Sequence, residues 1–164
     1  FDRETNDQAK YRILWRIGVI QQPFPEVMAK FSSLLNRGSS IETIYATLEA
    51  LEKIGKPGAE ACVASLYRLL GHDDIRVSYR AIQSFGRMPM QAEKVIPRIF
   101  SIYQNEKYEI RKNLIVRTFQ AYGTDGIAVF DAMIKAAVGP NKRPIAEVIS
   151  ILTGNDVEEI IRNS

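Results

Sequence analysis

Apolar residues recur along the chain at intervals of three and four, the spacing that gathers them on one face of a helix. No stretch alternates apolar and polar residues between hairpin turns. Asp125-Gly126, the one hairpin-like dipeptide, falls between two helical patterns. The pattern predicts an all-α fold. A longer period lies above it, a large or apolar residue followed by glycine: Ile17-Gly18, Ile54-Gly55, Phe85-Gly86, Tyr122-Gly123 and, more loosely, Thr153-Gly154. These glycines are 37, 31, 37 and 31 residues apart. Glycine terminates helices readily because it has no Cβ to clash in the left-handed region. Each is therefore read as the end of a first helix, with a second helix following.

Aligning the chain on these glycines gives apolar columns. One position before the glycine stand Ile17, Ile54, Phe85 and Tyr122, and four before it Leu14, Leu51, Ile82 and Phe119. In the second helices Val27, Cys62, Val95 and Val129 align, followed by Met28, Val63, Ile96 and Phe130, then by Phe31, Leu66, Ile99 and Met133. The register predicts a single domain over 1–164, built of five helix pairs at about 6–36, 40–71, 74–104, 107–138 and 143–162. Ser39 or Ser40, Asp73 and Thr124 are expected N-caps. Pro25 and Pro144 suit first turns, and Pro97 implies a late helix start near Glu93 or a kink. One such pair cannot bury its own apolar face, so pairs of this period stack as a solenoid.

The segments Asp73-Asp74-Ile75-Arg76-Val77 and Ala81-Ile82-Gln83-Ser84-Phe85-Gly86, and Ile44 through Gly55 with Ala50, Leu51 and Ile54, resemble the HEAT repeat family, in particular its short bacterial-type repeats. Ser78 stands where the family usually carries arginine, and Ile110-Arg111 falls one turn early in the fourth pair. The resemblance covers nearly the whole chain. It implies a right-handed, armadillo-like α-solenoid whose second helices line the concave side, and a non-catalytic scaffold that binds a protein or peptide.

Composition narrows the chemistry. The 164 residues are 46% hydrophobic and 25% charged, ordinary for a globular chain. No uncharged apolar run approaches the roughly 20 residues of a membrane span. With no signal peptide, a cytoplasmic location is expected. The opening Phe1 in place of Met fits a piece of a longer protein. One cysteine and one histidine exclude an internal disulfide and multi-histidine or cysteine-cluster metal sites. No phosphate loop, dinucleotide fingerprint or metalloprotease helix occurs, and the His-Glu pairs of iron-holding HEAT enzymes are missing, so no cofactor and no metal are expected. His72 reads as a solvated turn residue, or else as a base paired with Asp73. Cys62 reads as a small core residue. Trp15 reads as packing at an N-terminal edge, or else as the exposed anchor of a nucleic-acid-binding solenoid like the HEAT-like DNA glycosylases.

Net charge is +3, yet residues 76–117 carry +6 against −3 for the remainder. Arg12, Arg80 and Arg117 share a column that points away from the core, read either as a basic strip for acidic partners or as a solvated face. On the second helices, Ser33, Arg68, Ser101 and Lys135 lie opposite the core, with Glu26, Ala61, Lys94 and Ala128 beside them and Arg98 close by. Tyr67, Phe100 and Ile134 widen the apolar stripe along that border, either as core packing or as a recognition ridge. The expected binding set is therefore Tyr67, Arg68, Lys94, Arg98, Phe100, Ile134 and Lys135, taking a partner helix with apolar anchors and acidic flanks. A nucleic-acid partner and a purely structural role are the alternatives.

Overall fold

The structure, a computed structural model, describes Arg12, Ile13, Arg16 and residues 23–164. Leu14, Trp15, Ile17 and Gly18 lie outside the described residues. Helices α1 (Pro25–Leu34), α2 (Ile41–Ile54), α3 (Lys56–Leu69) and α4 (Ile75–Arg87) belong to one compact unit. Helices α5 (Ala92–Asn105), α6 (Glu109–Ala121), α7 (Gly123–Ala136), α8 (Lys142–Thr153) and α9 (Val157–Arg162) belong to a second, with a 3-10 turn over Gly139–Asn141. No strand occurs among the described residues. The all-α reading holds, and these helices match the expected ones to within about two residues at most ends.

Within each unit, each helix packs on the next, and four pairs pack on the next but one. In the first unit α1 lies on α3 and α2 on α4; in the second α5 lies on α7 and α6 touches α8. First helices thus pack on first helices and second helices on second helices. The aligned columns supply the contacts: Leu51, Ile82, Phe119, Ile96, Phe130, Phe31, Leu66 and Ile99 are all at most 1% exposed. In the second unit, edge-to-face packing links Phe130 to Phe100 and Phe119, with centroids 5.7 and 4.9 Å apart, and Tyr103 to Phe119 at 6.2 Å.

Two helix reversals are built alike. Gly55 (φ +82°) follows α2 directly, and Gly123 (φ +55°) opens α7. Both adopt the left-handed region, which a side chain would resist. Three residues on, Gly58 and Gly126 let the new helix press on the end of the old one. A Cβ on Gly58 would lie 2.7 Å from Ile54 Cγ2, and one on Gly126 only 2.9 Å from Tyr122 Cβ and 3.2 Å from Phe119 O. The Gly-x-x-Gly spacing is thus a reversal signal: one glycine for the turn, one for the approach.

Gly86 corrects the glycine reading. It lies inside α4, which runs on to Arg87, and the left-handed residue ahead of α5 is Gln91 at φ +46°. A four-residue connection, Met88–Gln91, makes the turn there, so the helix need not stop at its glycine. Ser40 caps α2 by accepting the Thr43 N–H. At α4 the cap is Asp74 and not Asp73, because the Asp74 carboxylate accepts from Arg76 N–H. Thr124 is no cap: α6 ends at Ala121, Tyr122 alone lies between, α7 starts at Gly123, and Thr124 falls within its first turn. Ser78, in the position of the family's arginine, is buried and donates to Leu70 O at 2.8 Å, tying the first turn of α4 to the end of α3. Pro97 sits well inside α5, which begins at Ala92.

Replacing Leu51 or Ile82 by alanine is expected to cost roughly 2–5 kcal/mol in urea unfolding, as for other fully buried aliphatic residues. Gly126→Ala should destabilise as well, although alanine is normally worth up to about 1 kcal/mol over glycine in a helix. A gain in stability there would contradict the close approach to Tyr122 and Phe119.

Candidate functional site

The expected binding residues fall in both units. Tyr67 and Arg68 belong to the first unit and the other five to the second. Phe100 and Ile134 are 4% and 2% exposed, so the apolar ridge they were to form is core packing and offers no surface. The cause lies in the width of the buried stripe. Phe100 packs across Phe130 and stacks near Tyr103, so α5 buries one column more than the alignment assigns to the core. Tyr67 is half-buried, and Arg68, Lys94, Arg98 and Lys135 are exposed.

Three cavities bear on these residues. One, of about 840 Å³, is an open groove between α5 and α7. Ala128, Ala132 and Ala136, spaced by four and all exposed, form one wall with Val129 and Met133. Ala92 and Pro97 form the other, and Glu93, Lys94 and Asp125 sit at the rim. Two features shape it. The alanines keep α7 thin along that edge. Pro97 has no amide to donate, so the Glu93 carbonyl on the groove side of α5 lacks its usual intrahelical donor. Three alanines at helical spacing are visible in the sequence, where the expected binding face includes only Ala128. Lys135 and Ile134 line a second cavity of about 320 Å³ formed by α7, α8, α9 and the chain end. Arg68 lines a third, of about 360 Å³, with Leu35, Asn36, Arg37 and Leu69.

Five cations of the basic run, Arg76, Arg80, Arg87, Arg111 and Lys112, are drawn into ion pairs. Arg80 does not belong to an outward strip. Its side chain is 15% exposed and its Nη2 donates to Glu52 Oε2 at 3.1 Å, while Arg87 also pairs with Glu52 and Ser84 Oγ donates to it at 2.7 Å. Arg76 pairs with its own cap Asp74 at 2.7 Å, Arg111 with Glu106 at 3.9 Å and Lys112 with Glu109 at 3.5 Å. Arg12 and Arg117 are exposed.

The one histidine and the one cysteine are both engaged by the fold. His72 is neither solvated nor paired with Asp73. Its Nδ1 accepts the Asp74 N–H at 3.0 Å, its Nε2 is buried with no hydrogen-bond partner, and Asp73 turns to Arg37 at 3.5 Å. Hydrogen bonds from the Arg76 side chain and backbone hold Asp74 down to about 2. Cys62 is 1% exposed, and burial pushes its thiol up, the opposite of an activated thiolate. Among the described residues, no three His, Cys, Asp or Glu side chains gather where they could hold a metal ion. No described helix is long and apolar enough to cross a membrane. Comparison with family models, with curated proteins and with solved structures gives no match to this chain.

Burial pushes the Glu52 carboxyl up, but hydrogen bonds from Arg80 and Ser84, the Arg80 charge and the Arg87 hydrogen bond outweigh it, and the net shift is downward. Glu52 therefore releases its proton more readily folded than unfolded. Its contribution is complete above the ordinary glutamate value of 4.5 and is lost as pH falls through the lower folded value. Urea unfolding of the native chain should weaken with acid in that window, and Glu52→Gln should flatten the dependence. Glu52→Ala, which strands the largely buried Arg80 guanidinium, should cost about 3 kcal/mol at neutral pH.

Proposed function

We propose that the chain is a stretch of right-handed, HEAT-like α-solenoid that acts without catalysis, receiving a helical segment of a protein partner in the groove between α5 and α7. The observation that carries this reading is the groove itself. Exposed Ala128, Ala132 and Ala136 leave room for another backbone to approach, and Val129 and Met133 offer apolar contact along the same length. Helix-in-groove recognition uses apolar anchors spaced by three and four, and a groove along two parallel second helices suits that spacing. The packing of second helices on second helices within each unit supports the solenoid. Its second-helix side is the side the family resemblance assigns to partners.

The rim changes the expected partner. Glu93 and Asp125 oppose the single cation Lys94 there, and the Glu93 carbonyl adds an acceptor. A partner helix with apolar anchors and a basic or amide-bearing residue at that end fits better than one with acidic flanks. The basic run of residues 76–117 lends little to a nucleic-acid reading, because Arg76, Arg80, Arg87, Arg111 and Lys112 already pair with carboxylates. The absence of catalysis is supported by the buried thiol and by a histidine whose Nδ1 is taken up by a backbone amide.

A photo-crosslinking residue at Ala132 should capture a protein partner from cell extract, and the same residue at exposed Gln120 on α6 should not. With the crosslinking residue kept at position 132, Ala128→Glu should abolish the capture while leaving far-UV circular dichroism unchanged, because the side chain enters the groove and not the core. Equal capture from Gln120, or capture that survives Ala128→Glu, would sink the reading.

A further inference from the structure

The third cavity is lined by residues of the first unit, the groove by residues of the second. Two guanidiniums line the cavity, and both are held in place by neutral or backbone acceptors. Arg37 comes from the loop between α1 and α2. Its Nη2 donates to Gly71 O at 2.7 Å, across 34 residues of sequence, and its Nη1 reaches Asp73 at 3.5 Å. Asn36 fixes the loop beneath it: its Oδ1 accepts the Gly38 N–H at 2.7 Å, and its amide donates to Ser33 O and Ser39 Oγ. Arg68 comes from the last turn of α3. Its Nη2 donates to Ser65 Oγ at 2.9 Å, and Ser65 in turn donates to Ser32 O at 3.2 Å. Leu35 and Leu69, both buried, back the pocket.

The charges do not cancel. Among the described residues Asp73 is the one carboxylate paired with these arginines, at the long end of the ion-pair range and with its own side chain 82% exposed. A cation in the last turn of α3 answers the negative end of that helix, and Arg68 alone meets this need. Arg37 adds a second cation that helix capping does not require. Each guanidinium has five N–H donors, and the bonds above use two on Arg37 and one on Arg68. A carboxylate saturates one guanidinium fork, whereas a tetrahedral oxyanion has oxygens enough for two.

We propose that the Arg37–Arg68 pocket binds a phosphate-class oxyanion, with the two guanidiniums gripping it from the α1–α2 loop and from the end of α3. Because Asn36, Gly71 and Ser65 hold the donors in position beforehand, little side-chain ordering opposes binding. The pocket is independent of the α5–α7 groove, so either can fail without the other.

The test is titration of the full chain with inorganic phosphate against chloride at equal ionic strength, read from the arginine Nε–Hε resonances by NMR. Saturable shifts are expected at Arg37 and Arg68, with none at Arg117. Arg68→Gln should weaken the titration about tenfold or more, the worth of one charge-assisted hydrogen bond, and Arg37→Gln should do the same. Should Arg37→Gln disturb its loop, the wild-type shifts and Arg68→Gln decide the matter. Shifts that fail to saturate, that chloride reproduces, or that appear equally at Arg117 would overturn the site. Acetate binding as tightly as phosphate would overturn its assignment to a tetrahedral oxyanion.

Discussion

A helix next to a left-handed glycine can reverse within a single residue, and the placement of two second helices, α3 and α7, depends on that economy. At Gly55 and Gly123 the backbone turns where a side chain would be strained, and at Gly58 and Gly126 the returning helix presses on the one it has just left. The close approach of these glycines to Ile54 and to Tyr122 and Phe119 constrains the rotation of α3 on α2 and of α7 on α6. Cys62 and Leu66 in one unit, and Val129 and Phe130 in the other, then face inward without further adjustment. Core packing follows from the reversal more than it causes it.

Charge is handled with the same economy. One glutamate, Glu52, serves two arginines and a serine between α2 and α4, and its own desolvation is overcome because three donors converge on it. The chain therefore spends much of its apparent basicity internally. What it shows to a partner is local and of either sign: a groove with two carboxylates at its rim in one unit, and a pair of guanidiniums in the other. A net charge of +3 describes neither surface.

The periodicity carried the helices and most of the core because burial repeats with the helical turn, so the columns around Leu51, Ile82, Phe119, Phe31 and Leu66 were legible as patterns. Three features were not. Gly86 looks like its counterparts, but the longer Met88–Gln91 connection after it lets α4 continue, and loop length outweighs residue type. Arg80 sits on the predicted outward column, yet Glu52 on the neighbouring helix draws it inward, a partner 28 residues away that a helical wheel cannot see. Phe100 and Ile134 lie one position beyond the aligned core, where only the neighbouring helices decide between ridge and interior. The groove escaped because alanine is a weak signal. Its importance lies in the volume it leaves empty.

The unequal lengths of the reversals also bear on where this chain can tolerate a change in length. Between α2 and α3 a single residue separates the helices, and between α6 and α7 likewise, so an inserted residue has nowhere to go but into a helix. It would rotate everything downstream by about 100°, carrying the Cys62 or Val129 column from interior to water. Met88–Gln91 has slack, and Gln91 already bears an uncommon conformation that other residues could share or relieve. Insertions and deletions should therefore be harmless in proportion to the spare backbone at each joint. Of these three joints, the one at Met88–Gln91 can best lengthen without unwinding the register of its neighbours.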